Sequence, residues 1–146
     1  MGAKEIVDKL EEKKTKLRVY AMIDTLKYLK KGGRISATTA FFGELLGIKP
    51  IAGVINGKVE VLGKEKGAKK AISALKTLVQ KDGGIDYDMP YGVLWTGNDT
   101  TLRDNFVASS TDLFGDDASK VKMHMMGSTI GTHIGPGAFG LAYFEK

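Results

Sequence analysis

The chain has 146 residues, of which 42% are hydrophobic and 27% charged, and a formal net charge of +5 at pH 7, which suits one globular domain with a buried core. It contains no cysteine and only two histidines, which excludes disulfides, thiol nucleophiles and cysteine metal sites and argues against a histidine-rich metal site. No apolar run approaches the ~20 residues of a membrane span and no signal-peptide pattern is present, so we expect a soluble, cytoplasmic protein.

The first part of the chain predicts three helices and a strand. Residues 3–17 carry one apolar helical stripe among lysines and glutamates, which predicts an amphipathic helix. Arg18–Ile23 is a short apolar run typical of a strand. Asp24 is positioned to cap a second helix that Gly32-Gly33 ends, and Ser36 is positioned to cap a third.

A hairpin and a long helix follow. Asn56-Gly57 tolerates the positive φ values of a tight turn and separates the predicted strands 51–55 and 58–62. The clearest helical stripe covers residues 65–81, and Gly83-Gly84 ends it.

The last third predicts three strands and one more helix. The strands cover residues 91–96, 121–126 and 138–144. Asn98 or Asp99 caps the helix after the first of them, which has Leu102, Phe106 and Leu113 in line. A glycine-rich loop is predicted over residues 127–137. Two strand–helix–strand crossings suggest parallel pairs beside the antiparallel hairpin, so we expect an α/β (α+β) domain with a mixed sheet and helices on at least one face.

A dinucleotide-binding motif is present in letters only. Gly135–Gly140 matches G-x-G-x-x-G, but such a site needs the motif after a strand and at the start of a helix. Here a strand-like segment follows the motif, and the chain ends at Lys146. We therefore reject a dinucleotide site.

A loop after the second helix combines two glycines with an arginine. Gly32 and Gly33 free the backbone to turn, and Arg34 follows just before a predicted helix start. Free N–H groups at a helix start attract anions, and a guanidinium group matches a carboxylate or phosphate with two parallel hydrogen bonds. The pattern indicates anion capture or, alternatively, a structural ion pair or helix cap made by Arg34.

A second loop places a histidine beside a rigid turn. His133 precedes Gly135-Pro136-Gly137, where the backbone can approach a ligand closely. The imidazole can donate a hydrogen bond to an anionic headgroup, or it can be satisfied by backbone carbonyls. His124 lies in a predicted strand between two methionines, and we interpret it as structural.

Together, three ordered motifs resemble one known family. They are LKYLKKGGRIS at residues 26–36, LLGIKPI at residues 45–51 and IGTHIGPGA at residues 130–138. The order and spacing of these motifs are similar to those of the C-terminal domain of the DegV family of bacterial fatty-acid-binding proteins, from about residue 20 to the end of the chain.

The resemblance implies a carrier of two α/β domains that holds one fatty acid. The acyl chain would lie in an apolar pocket largely in the C-terminal domain, and the carboxylate would lie near Arg34 and His133. Gly33, Thr132 and Gly135 would belong to the headgroup loops. The implied ligand is a long-chain, palmitate-like fatty acid with no cofactor, and the implied partner is a fatty acid kinase that phosphorylates the presented carboxylate.

This chain departs from the family pattern because the N-terminal domain, with its Ser- and Thr-rich headgroup loops, is absent from it. We expect residues 1–146 to form a single domain with half of the headgroup site. Because each buried methylene contributes about 0.8 kcal/mol, a long tail contributes on the order of 10 kcal/mol before ordering costs, so the domain alone is expected to retain weak acyl binding. The candidate pocket walls, which core packing would equally explain, are Ile35, Phe41, Phe42, Leu45, Ile51 and Leu94.

Two other functions remain open. A small-molecule enzyme acting through His133 would need an orienting carboxylate, and neither loop contains one. A protein-interaction module would use the basic half of the chain, since residues 1–70 carry 16 basic and 8 acidic side chains. No aromatic–basic stripe suggests nucleic acid, so the expected function is fatty-acid binding without catalysis.

Overall fold

A computed structural model describes residues 1–35, 47–115 and 121–146. Within these ranges the helices are α1 (Ala3–Lys14), α2 (Lys27–Lys31), α3 (Ala68–Lys81), α4 (Thr101–Ala108), α5 (Thr111–Phe114) and α6 (Ser128–Ile134). The strands are β1 (Leu17–Met22), β2 (Ile48–Ile55), β3 (Lys58–Lys66), β4 (Gly92–Trp95), β5 (Met123–Met125) and β6 (Phe139–Phe144). In this part of the chain no helix is long and apolar enough to cross a bilayer.

The described strands form one mixed sheet in the order β3-β2-β1-β6-β4-β5, which confirms the predicted fold class. Its neighbours are antiparallel except for β4 and β5, which are parallel as their helical crossing predicts. The other predicted parallel pair is wrong, because α3 carries the chain from β3 at one edge to β4 on the far side of the two central strands.

The predicted hairpin is confirmed and is longer than expected. Asn56 has φ 50° and Gly57 has φ 76°, the two positive values that a two-residue hairpin turn favours. Strand β3 continues to Lys66, so α3 begins at Ala68 rather than at residue 65.

One face of the sheet holds the larger core. The apolar stripe of α3 (Ala71, Ile72, Leu75 and Val79) is buried against residues of β1, β4 and β6. Tyr20 and Met22 of β1 point to this side, as do Phe139, Leu141 and Tyr143 of β6. The alternation of side chains along a strand then sends Ala21 and Ile23 to the other face.

A polar cluster ties α3 to the two central strands. The Asp82 carboxylate, just after α3, accepts hydrogen bonds from the hydroxyls of Tyr20 (2.7 Å) and Tyr143 (2.8 Å). Arg18 lies beside it, with Nε 3.7 Å from Asp82 Oδ2 and Nη2 2.6 Å from Glu145 Oε2. Burial and the hydrogen bond to Asp82 raise the pKa of the Tyr20 phenol to about 12.

The opposite face is partly covered by α2 and α6. A smaller cluster forms there from Ala21, Ile23, Leu26, Leu29 and Ala52, with Ile134 of α6 packed against it. This contact gives α6 a tertiary partner, and it holds together two segments from opposite ends of the chain.

Three local predictions are wrong. The glycine-rich stretch 127–137 contains α6 instead of a continuous loop. Asp24 does not cap α2, which starts at Lys27; its carboxylate pairs with Lys49. Leu113 lies on the separate helix α5, because the helix predicted after residue 99 ends at Ala108. The helix predicted from Ser36 lies outside the described residues.

Candidate functional site

An apolar groove of about 1330 Å³ crosses the face of the sheet opposite α3. Its walls come from β1 to β5, from α2 and the segment after it, and from α6. Among the apolar residues that line it are Val19, Ala21, Val54, Val59, Val61, Leu94 and Ile130. At about 4.8 Å between strands, the sheet from β3 to β5 is about 24 Å wide.

Small side chains make room for the groove. Ala21 pairs with Ala52 on one side and with Gly140 on the other, and directly paired residues project to the same face. Gly140 in turn pairs with Leu94 on its far side. The centre of this face therefore carries methyl groups and a glycine where a Val or Leu would fill the space.

The groove has two chemically different ends. At the end of the sheet where β1 and β4 terminate, it is lined by Gly33, Arg34, Ile35 and His133. The other end of the groove lies at the hairpin turn, where it is lined by Val54, Gly57, Lys58, Val59 and Glu60.

The C-terminus of α2 positions Arg34. Gly33 has φ +67°, a value that glycine adopts without strain. The Gly33 N–H donates to the Lys30 carbonyl (3.0 Å) and the Arg34 N–H donates to the Leu29 carbonyl (2.9 Å), the pair of bonds of a Schellman motif. This motif turns the chain abruptly after Gly32 and brings Arg34 to the groove.

The Arg34 guanidinium group is exposed, and within the described residues its side chain makes one hydrogen bond. Its Nη1 donates to the Gly32 carbonyl (2.8 Å), which holds the side chain against the end of α2. Among the described residues it forms no ion pair with a carboxylate. A guanidinium carries five N–H donors, so most are not engaged by any residue within 1–35, 47–115 and 121–146.

His133 occupies the last turn of α6, beside the same end of α2. Its ring packs on Gly32, so closely that a Cβ added there would lie 2.2 Å from His133 Nδ1. Nδ1 is buried and has no hydrogen-bond partner in the described part of the chain. The other ring nitrogen, Nε2, is not among the buried polar atoms without a partner, so it is the nitrogen that would contact a ligand in the groove.

The structure brings five of the predicted site residues together along the groove, namely Gly33, Arg34, Ile35, Leu94 and His133. Arg34 and His133 come from distant parts of the sequence and meet at Gly32.

Three other predicted site residues are not among the groove-lining residues. Thr132 turns its hydroxyl to the Ser128 carbonyl (2.8 Å). Gly135 lies beneath the Tyr28 ring, and its carbonyl accepts a hydrogen bond from Thr96 Oγ1 (2.6 Å). Ile51 pairs with Met22 and is buried on the opposite face of the sheet. Phe41, Phe42 and Leu45 lie outside the described residues.

Sequence reasoning missed several walls of the groove. Val59 and Val61 alternate with exposed residues along β3, a period-two pattern that could have assigned them to one face. Ile130 belongs to α6, which was predicted as loop, so no pattern suggested its position.

Three further sequence interpretations concern His124, metal ligands and the glycine motif. His124 is exposed on β5 and does not line it. No group of His, Asp or Glu side chains in the described ranges could hold a metal ion. Gly135 and Gly137 are followed by strand β6 and not by a helix, which agrees with the sequence-based reason for rejecting a dinucleotide site.

Comparison of the sequence with protein families finds one match over nearly the whole chain. A family model described as "Uncharacterised protein, DegV family" matches residues 2–146. The Protein DegV of Bacillus subtilis is 33% identical over 144 residues, a match that covers 97% of this chain and 50% of that protein. The chain thus spans about half the length of the curated relatives it matches.

Solved structures share the fold. A DegV family protein from Eubacterium eligens, loaded with heptadecanoic acid, superposes with a TM-score of 0.84 at 24% identity over 100% of this chain and 51% of that one. DegV of Bacillus subtilis, described as a fatty acid binding protein, gives 0.70 at 31% identity over 99% and 50%. The Fatty Acid Kinase (Fak) B3 protein of Streptococcus pneumoniae, loaded with linoleic acid, gives 0.82 at 18% identity over 100% and 50%.

Proposed function

The chain belongs to the DegV family, and we propose that it forms the acyl-holding domain of a fatty-acid carrier of that family. The observation that carries this proposal is an apolar groove with a guanidinium and an imidazole at one end. Solved relatives are described as binding fatty acids, one of them loaded with heptadecanoic acid.

The size of the groove supports a long acyl chain. A methylene group is close in size to a water molecule, which occupies about 30 Å³ of liquid, so a 16-carbon chain needs about 480 Å³. The groove volume of about 1330 Å³ exceeds this requirement. At about 0.8 kcal/mol per buried methylene, most of the affinity would come from the tail.

The polar end would select for an acid. Arg34 would hold the carboxylate with the N–H donors that no described residue engages, and His133 would donate from Nε2. Gly33 would let Arg34 reach the groove, whereas Thr132 and Gly135 would act by holding the end of α6. Each charge-assisted hydrogen bond contributes about 1.5–3 kcal/mol, which is enough to prefer an acid over an alcohol of equal length.

The chain matches about half of its longer relatives, which suggests what its partners are. We infer that a second domain, present in the longer relatives, completes the headgroup site. We also infer that a fatty acid kinase receives the acyl group, since a protein of the same fold carries the name Fatty Acid Kinase (Fak) B3. The exposed position of Arg34 suits a carboxylate that another enzyme must reach.

Titration of the purified, delipidated chain tests the proposal. We expect native mass spectrometry to show one palmitate per chain, and palmitate to bind at least tenfold more tightly than hexadecanol. Arg34→Ala should remove that preference, while Lys31→Ala, an exposed neighbour with the same charge that does not line the groove, should keep it. Equal binding of acid and alcohol by the native chain would overturn the headgroup assignment, and no lipid bound at all would overturn the proposal.

A further inference from the structure

The end of α2 and the end of α6 are joined by two reciprocal contacts, each made by a ring on a glycine. The His133 ring of α6 packs on Gly32, just after α2, and the Tyr28 ring of α2 packs on Gly135, just after α6. An added Cβ would lie 2.2 Å from His133 Nδ1 at Gly32 and 2.2 Å from Tyr28 Cδ2 at Gly135. Real Cβ atoms do not approach other atoms so closely, so a methyl group added at either position would displace the facing ring.

Gly32 and Gly33 are required for different reasons. Gly33 has φ +67° and nothing near its missing side chain, so the turn itself demands glycine there. Gly32 has φ −78° and ψ −2°, a conformation open to every L residue. The steric requirement at Gly32 therefore comes from its neighbours, foremost the His133 ring.

We propose that Gly32 and Tyr28 are positioning residues that set His133 relative to Arg34, an inference that rests on the proposed function. Gly32 contacts both headgroup residues, since its carbonyl accepts from Arg34 Nη1 (2.8 Å) and its Cα supports the imidazole. Tyr28 holds the other side of the contact, because its ring fixes the Gly135 backbone two residues after His133. The two helix ends thereby aim a guanidinium and an imidazole into one groove.

A methyl group at Gly32 tests this directly. In Gly32→Ala the imidazole must move, so we expect the His133 ring resonances of the ligand-free protein to shift in NMR spectra. We expect palmitate affinity to fall about tenfold, the lower limit for losing one charge-assisted hydrogen bond, and hexadecanol affinity to stay within about twofold. In a His133→Ala background, Gly32→Ala should change palmitate affinity less than about twofold, because the two residues act as one unit.

Matched variants separate positioning from folding. Gly131→Ala also adds a methyl group to α6, but nothing lies within 4 Å of it, so neither the His133 resonances nor palmitate affinity should change. Tyr28→Phe keeps the ring and should behave like the native chain, whereas Tyr28→Ala should reproduce the loss seen in Gly32→Ala. Thermal unfolding of each variant shows whether it folds. If Gly32→Ala does not fold, the comparison of Tyr28→Phe with Tyr28→Ala still tests whether His133 is positioned by this contact.

Unmoved His133 resonances in Gly32→Ala, or an undiminished loss of palmitate affinity in the His133→Ala background, would overturn the inference. If the native chain bound palmitate and hexadecanol equally, the headgroup part of the proposed function would fail. The resonances of the ligand-free variants would still decide whether Gly32 and Tyr28 position His133.

Discussion

Replacing Val59 with Phe should shorten the fatty acid that binds best. Val59 lines the groove beside the hairpin turn, at the end away from Arg34 and His133, where the tail of a long ligand would lie. The substitution adds four carbon atoms, which would displace two to four methylenes. At about 0.8 kcal/mol each, the loss for palmitate is about 2–3 kcal/mol, or about 30- to 150-fold in affinity.

Titration of saturated acids from 10 to 18 carbons into the native chain and the variant measures this effect. Acids of 10 or 12 carbons should bind both proteins alike, because their tails end before the added ring. Leu62→Phe is the matched control. Leu62 lies on the same strand, but its side chain lies on the α3 face of the sheet, on the same side of Gly53 as the Tyr20 ring. An equal loss at every chain length, or the same loss in Leu62→Phe, would refute the placement of the tail at the hairpin end.

Three further predictions concern stability. Because burial and the Asp82 hydrogen bond raise the pKa of Tyr20 from 10 to about 12, the protonated phenol stabilises the folded state below pH 10. About 2–3 kcal/mol of unfolding free energy should be lost as the pH rises from 10 to 12, and urea titrations of Tyr20→Phe should show a smaller decline. Part of the decline should remain in that variant, because the pKa of Tyr143 is also raised by burial and Asp82. Leu10→Ala on α1, at a side chain 63% exposed, should change the unfolding free energy by less than about 0.5 kcal/mol. Leu75→Ala on α3, at a side chain 0% exposed, should cost about 2–5 kcal/mol, and comparable losses from the two leucines would contradict the assigned cores.

Local chemistry explains which elements could be predicted from the sequence. Asn56-Gly57 defines its hairpin because few residue pairs tolerate two positive φ values in succession. The stripe of α3 defines its helix because the same residues that face one side also form the core. In both cases the signal lies within a few neighbouring positions of the sequence, so it can be recognised before the tertiary partners are known.

The helix α6 could not be predicted in the same way. It has glycine at position 131 in its interior, and no side chain caps its N-terminus. What stabilises it is distant in sequence, namely the packing of Ile134 on the cluster around Leu29 and the Tyr28 contact at Gly135. The sequence pattern of this glycine-rich stretch alone therefore predicts a loop, because the residues that stabilise the helix are distant in sequence.

The two faces of β1 explain why a groove can exist without weakening the fold. Tyr20 and Met22 carry the large side chains of the strand to the α3 face, where they join the main core. Ala21, between them, presents only a methyl group to the groove. Because alternate residues of a strand point to opposite faces, the groove face can carry small side chains while the α3 face buries the apolar area that stabilises the fold. The apolar surface of the groove stays exposed to water until a ligand covers it. An acyl chain that binds there should therefore bury this surface, stabilise the folded state and raise the unfolding temperature.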